Sequence, residues 1–243
     1  MKITEPLDLH IADKIFQLQS AALARPASAD IPDLAGKTVV VLGGSYGIGA
    51  SIADLAERSG AAVHSFGRST TGTDVTDRRA IRRALARAAS AGGSTTSSSP
   101  PGCSPSHHSP RPSGRRFDRR SRSNLLAPAQ IAQEAYRYLR DSRGHLPFFT
   151  SSSYTRGRAG YSLYSATKAG VVNLTQALAD EWSEHGVRVN CINPQRTRTP
   201  MRTNAFGEEP AHTLLDPEDV AAVSLKVLEA DVTGQIVDVR VAS

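Results

Sequence analysis

Apolar residues along this 243-residue chain fall into two alternating rhythms. Solid short runs, T-V-V-V-L at 38–42 and V-R-V-N-C-I at 187–192, have the length and density of strands buried on both faces of a parallel sheet. A-A-V-H-S-F at 61–66, H-L-P-F-F-T at 145–150 and G-Q-I-V-D-V-R-V at 234–241 read as further strands. Between them apolar positions recur at helical spacing. Ile52, Leu55 and Ala56 mark one helix, 76–89 a second, 126–140 a third, and the stretch carrying Tyr164 and Lys168 a fourth. Asp216-Pro217-Glu218 opens a fifth, with proline at a first-turn position where its missing N–H costs nothing. Ile11, Ile15 and Leu18 predict an amphipathic helix over 7–24, and Pro26 to Pro32 a linker. Strands alternating with helices predict an α/β fold, a doubly wound parallel sheet. The domain is expected over 36–243, after an N-terminal helix at 1–25 and a linker at 26–35.

The length suits one domain with a sizeable core. The opening MKITEPLDLH is too polar for a signal peptide or a membrane span, so no membrane partner is expected. Cys103 and Cys191 are too few for a disulfide framework or a cysteine-rich metal site, and a reducing cytoplasm is the expected location. The formal charge of +6 suggests nucleic acid, but its distribution argues against that partner. Residues 94–123 hold six arginines and one acid, leaving 23 basic against 22 acidic residues elsewhere. One alternative keeps that partner through an arginine-rich arm over 111–122, which no aromatic platform accompanies; another is a catalytically impaired chain that only holds a cofactor.

Chemistry concentrates in two places. Gly43, Gly47 and Gly49 form G-x-x-x-G-x-G between an apolar strand and a helix. Such a turn lets the backbone approach a pyrophosphate, which the helix N-terminus then stabilises. Ser45, Tyr46 and Ile48 fall within it. The next strand ends in Phe66-Gly67-Arg68-Ser69, with no acid for a ribose hydroxyl; Arg68 suits a 2′-phosphate, so NADP(H) is expected over NAD(H). The other reading of Arg68 is an ordinary surface arginine. Asp74 and Val75, at an expected strand end, are placed to meet adenine. Tyr164 and Lys168 lie four apart, on one helix face, with Ser151 thirteen residues before the tyrosine. A phenol ordinarily titrates near 10, and a neighbouring ammonium favours its ionised form. Y-x-x-x-K alone fits a solvated helix face; with the serine and the glycine turn in this order, catalysis is the better reading.

Over 36–93 and 124–243 these residues resemble the short-chain dehydrogenase/reductase family, whose fold is Rossmann-like. The glycine run is similar to its T-G-x-x-x-G-I-G turn with Leu42 for threonine, and T-D-V-T-D at 73–77 to its adenine contact. Asn124 matches its helical asparagine. T-S-S-S at 150–153 matches its strand-end serine, with Ser151 preferred by spacing and Ser152 next. N-P-Q-R-T-R-T-P-M at 193–201 is similar to its nicotinamide-side loop, which brings in Pro194, Thr197 and Thr199, with Gln195 replacing a glycine. The resemblance implies carbonyl reduction. Ser151 binds the substrate oxygen, Tyr164 gives the proton, Lys168 assists it and holds the ribose, and Asn124 keeps a water relay. It also implies a homodimer or homotetramer through the helices carrying Asn124 and Tyr164. M-K-I-T-E-P-L-D-L-H-I-A-D-K resembles the tail of a CTP-dependent sugar-alcohol-phosphate cytidylyltransferase. Such domains precede reductases that act on ribulose 5-phosphate, which implies a ketose phosphate substrate held by Arg156, Arg158, Arg196, Arg198 or Arg202.

One stretch breaks the pattern. STTSSSPPGCSPSHHSPRPSGRRFDRRSRS, residues 94–123, has almost no large apolar residue and is expected to be disordered. The resemblance places the fourth strand and an N-A-G turn here, and both are missing from the sequence. With suitable codons, reading one nucleotide earlier turns S-T-T-S-S-S-P-P-G into I-D-H-V-V-V-T-A-G, so a pair of compensating frameshifts explains the segment. A chain so altered is expected to fold poorly and bind cofactor weakly.

Overall fold

Successive valines of β1 (Lys37–Leu42) point to opposite faces of a sheet, and each face has found helices to bury it. The computed structural model describes residues 20–21, 23–24, 31–91, 94–98, 121–157 and 159–241. Val40 and Leu42 join a core with α2 (Arg78–Ser90), α3 (Ala127–Ser142) and α4 (Ser162–Trp182). Val39 and Val41 join the opposite core with α1 (Gly47–Arg58) and α6 (Pro217–Glu229). A short α5 (Pro200–Phe206) stands apart, after the fifth strand. The remaining strands are β2 (Ala62–Phe66), β3 (Ser94–Ser98), β4 (His145–Phe149), β5 (Arg188–Pro194) and β6 (Ile236–Val239).

All pairings are parallel, in the orders β2-β1-β3 and β4-β5-β6. The expected α/β architecture with helices on both faces is therefore present, and the chain order alternates as the apolar pattern requires. One correction concerns continuity. Two three-stranded ladders replace the single sheet, with β3 lying beside β4 unpaired among the described residues. Thr150 N–H donates to Ile192 O, and Gly144 O accepts from Arg188 N–H, so even-numbered groups of this segment face β5. Pro147 is odd-numbered, and the donor it lacks is one that would face β3.

A second correction concerns Ser94–Ser98, expected to be without structure. Its backbone forms β3, in register from Lys37↔Ser94 to Val41↔Ser98. Backbone groups pair irrespective of side-chain polarity, so β1 supplies a template that the composition does not reveal. Residues 99–120, with Cys103 and most of the arginine-rich run, lie outside the described residues, as does most of the expected 7–24 helix and 26–32 linker. A third correction is the strand expected to end at Asp74-Val75. This stretch is a loop, closed by Asp74 Oδ1 accepting from Thr76 N–H at 2.9 Å, while Asp77 caps α2 through Arg79 N–H. Ahead of α3, Arg122–Leu126 is a π-turn that the apolar spacing does not predict.

Candidate active site

The carboxyl ends of β1, β2, β4 and β5 open into one cleft of about 940 Å³. Open parallel sheets bind ligands at this end, because helix N-termini and strand-end loops converge there. The β1–α1 turn forms one wall. Gly43 and Gly44 N–H groups both donate to Phe66 O, at 2.7 and 3.0 Å, which locks the turn against the end of β2. Gly47 adopts φ +61°, and a Cβ there would lie 3.2 Å from Thr199 Cγ2, so the turn and the late loop stand nearly in contact. Gly67 is tighter, since its Cβ would meet Ser45 N at 2.9 Å.

Every residue expected to hold a cofactor lines this cleft: Gly43, Ser45 to Gly49, Arg68, Ser69, Asp74, Val75, Tyr164, Lys168, Pro194, Thr197 and Thr199. Arg68 stands 3.9 Å from Asp74 across the mouth, both substantially exposed. Gly67 was not singled out by sequence reasoning. Its signal is its place directly after an apolar strand end, where backbone must approach the glycine turn.

Opposite, β4 runs into Ser151, which is extended (φ −154°) and caps the short turn Ser152–Tyr154. Ser151 and Ser152 both line the cleft. The helix α4 carries Tyr164 and Lys168 along one side, and Lys168 Nζ lies 5.9 Å from the Tyr164 ring centre. Lys168 is 3% exposed, and its ammonium donates to Phe149 O at 2.9 Å. Thr150 Oγ1 in turn donates to Lys168 O at 2.9 Å, so strand end and helix brace each other. A buried ammonium held this way is a fixed positive charge beside the phenol. Asn124 is not brought to the cleft surface. It sits in the π-turn, 1% exposed, while its neighbour Ser123 lines the cleft.

The third wall is the segment after β5. Among the five arginines considered for a phosphate, Arg196 and Arg202 line the cleft. Arg198 pairs with Asp216 outside the lining, Arg156 is exposed away from it, and Arg158 lies outside the described residues. Phe206 and Thr213 also line this wall, and Glu209 grips Arg202; sequence reasoning missed all three. Among the described residues no His/Cys/Asp/Glu group suits a metal, and no helix is long and apolar enough to cross a membrane.

The chain is similar to proteins of known family and fold. A family model described as short chain dehydrogenase matches residues 68–210. A bifunctional ribulose 5-phosphate reductase/CDP-ribitol pyrophosphorylase of Haemophilus influenzae is 43% identical over 242 residues. That match takes in 98% of this chain and 51% of the relative, so the chain spans about half the relative's length. A short chain dehydrogenase from Burkholderia cenocepacia, solved in complex with NADP, superposes with a TM-score of 0.76 at 26% identity, covering 86% of this chain and 98% of that one. A 3-ketoacyl-(acyl-carrier-protein) reductase from Brucella melitensis, solved with NADH, shares the fold at a TM-score of 0.77 and 22% identity, over 85% and 97% of the two chains.

Proposed function

The chain belongs to the short-chain dehydrogenase family of oxidoreductases, and from that premise we propose that it reduces the ketone of a ketose phosphate, ribulose 5-phosphate, with NADPH in preference to NADH. The observation that carries this reading is the shared cleft: Ser151, Tyr164 and the buried Lys168 face the glycine turn across one 940 Å³ space. The residues fit a dinucleotide. The close approach of Gly47 to the Thr199 side chain and of Gly67 to Ser45 leaves no room for a Cβ at either glycine, which keeps the turn slim beside the path of a pyrophosphate. Arg68 and Ser69 suit a 2′-phosphate, Asp74 and Val75 the adenine, and Pro194, Thr197 and Thr199 the nicotinamide side.

When bound, the reduced nicotinamide supplies the hydride. Ser151 donates to the carbonyl oxygen and stabilises the charge that grows there. Tyr164 delivers the proton to that oxygen. Lys168, anchored on Phe149 O, keeps a positive charge behind the phenol and is placed to hold the ribose. Asn124, buried next to Ser123, keeps a water relay to the lysine. The substrate reading is supported by the Haemophilus relative and by two cationic side chains, Arg196 and Arg202, on the wall facing the catalytic set. That relative's match runs through nearly the whole chain, N-terminal segment included, which supports reading 1–25 as the tail of a cytidylyltransferase neighbour. The alcohol phosphate formed here is then the group such a neighbour activates. Assembly as a homodimer or homotetramer through α3 and α4 completes the proposal.

The test is NADPH oxidation with a panel of ketose phosphates and simple ketones. Ribulose 5-phosphate is expected to show the highest kcat/KM, and NADH a much lower one. Activity confined to unphosphorylated ketones, or equal use of NADH, would overturn the substrate or cofactor half of the reading respectively.

A further inference from the structure

Arg202 faces the cleft, yet an internal carboxylate already fills its fork. Glu209 Oε2 accepts from Arg202 Nε at 2.6 Å and Glu209 Oε1 from its terminal nitrogen at 2.9 Å. The guanidinium also stacks on Phe206, 4.5 Å from the ring centre, and the two charged side chains are only 20% and 18% exposed. Arg196 stands 3.9 Å from the same carboxylate, is 63% exposed, and lines the cleft as Arg202 does. Two planar oxygens on an arginine fork reproduce the geometry with which arginine takes two oxygens of a phosphate.

The surrounding segment is built to keep this arrangement in place. Thr199 caps α5 through Arg202 N–H at 3.2 Å, Arg198 pairs with Asp216, and Thr197 bridges to Leu215. Arg202 and Glu209 both belong to the stretch between these anchors, so the carboxylate can leave without unpinning either end. Two arginines share one carboxylate, which leaves the pair with a net positive charge for a dianion to neutralise.

We propose that Glu209 is an internal occupant of the anion seat: the phosphate of a phosphorylated substrate displaces its carboxylate from Arg202 and draws Arg196 onto the same group. The proposal rests on the ketose phosphate reading and names the residues that select it. Glu209 holds the fork oriented in the free enzyme and is itself held ionised by Arg202, its carboxyl lowered below the ordinary range. A neutral sugar has nothing with which to displace a carboxylate, so the exchange answers to the phosphate alone and leaves Glu209 in place when an unphosphorylated ketose binds.

The test is calorimetric titration of NADPH-loaded protein with inorganic phosphate, beside turnover of ribulose 5-phosphate and of ribulose. Loading with NADPH keeps the Arg68 region filled, so the titration reads the second anion seat. Glu209→Gln is expected to tighten phosphate on the order of tenfold and to lower the KM for ribulose 5-phosphate similarly, with the KM for ribulose unchanged. Glu209→Asp, which keeps the charge on a shorter arm, is expected to fall between, and serves if the glutamine variant melts early. Arg202→Gln is expected to weaken phosphate by about 10- to 100-fold, and Arg202→Lys to recover only part, since a point charge lacks the fork. Phosphate affinity that falls in both Glu209 variants, or ignores them, would overturn the exchange even while ribulose 5-phosphate is turned over. Phosphate affinity that responds as stated in protein reducing no ketose phosphate would remove the substrate reading and leave the exchange standing.

Discussion

Lys168 Nζ donates at 2.9 Å to the carbonyl of Phe149, two residues before Ser151 on the same strand end. The carbonyl is open to the lysine because odd-numbered backbone groups of β4 face away from β5. One contact thus satisfies a buried acceptor and sets the ammonium 5.9 Å from the Tyr164 ring. Lys168→Met is expected to lose turnover and also about 1–3 kcal/mol of stability through the orphaned carbonyl. Tyr164→Phe is expected to lose about 10²- to 10⁴-fold in kcat with the melting temperature and NADPH affinity nearly unchanged. Turnover assays beside thermal melts separate the two, and retained turnover in Tyr164→Phe would remove it from the chemistry.

Arg68 bears on cofactor choice. Among the described residues it pairs with Asp74 at 3.9 Å, with both side chains open to solvent, so a phosphate meets little competition for it. Arg68→Ala is expected to raise the KM for NADPH about 10- to 100-fold, as loss of a charge-assisted contact of about 1.5–3 kcal/mol requires, and to leave the KM for NADH unchanged. Equal effects on both cofactors would return Arg68 to the ordinary surface.

What local pattern encodes is legible in the sequence alone. The apolar run at 38–42 became β1, the helical spacing over 76–89 became α2, and the four-residue spacing put Tyr164 and Lys168 along one helix. What long-range pairing decides is not. Glu209 reaches Arg202 across the break between α5 and the following turn, and no helical or strand period marks that pairing. The gap between the ladders needs both Pro147 and the parity of its neighbours, and the parity appears only once β5 is known to lie alongside. Asp74-Val75 reads as a strand end in the sequence, yet Asp74 and Thr71 bond locally and hold this stretch as a loop.

Glu134 ties α3 to α2. Arg82 and Arg78 both donate to it, at 3.0 and 2.5 Å, and these bonds hold its carboxyl at about 2 against an ordinary 4.5, over an opposing cost of burial. A carboxyl lowered on folding stabilises above its unfolded value and ceases to do so as pH falls. Stability is therefore expected to decline between about pH 4.5 and 2, by about 1–2 kcal/mol from this group, because both arginines are half exposed. Glu134→Gln is expected to remove that part of the acid transition, read by denaturant melts across pH. An unchanged pH slope would show that the arginines bond to it without net effect.

His145 acts at milder pH. It is fully buried, its Nδ1 donates to Leu228 O at 3.1 Å, and its Nε2 accepts from Asn190 at 2.7 Å, so only the neutral ring satisfies both partners. Burial first, and the nearby Arg188 charge second, push it down from 6.5 to about 3. The unfolded chain takes up a proton that the folded chain refuses, so stability is expected to fall as pH drops from about 6.5 towards 3. His145→Gln, able to accept from Asn190 without titrating, is expected to flatten this slope. A slope that persists in His145→Gln would assign it to other groups.

The last prediction concerns the strand that composition disowned. Ser94–Ser98 runs between β1 and β4, a position that parallel sheets ordinarily fill with apolar residues, yet its five residues are Ser-Thr-Thr-Ser-Ser. Its register beside Val39, Val40 and Val41 shows that the backbone accepts a strand here, while the sequence supplies it with no apolar residue. Replacing 94–102 with I-D-H-V-V-V-T-A-G should keep that register and add valines between two cores. Each fully buried valine contributes about 1.5–3 kcal/mol, so the melting temperature is expected to rise by several degrees and NADPH to bind more tightly, because β3 ends beside the glycine turn. Codons over 94–123 that yield no apolar strand in the neighbouring frame would dismiss the frameshift origin. An unchanged melt in the replaced chain would show that this strand carries no stability whatever its side chains.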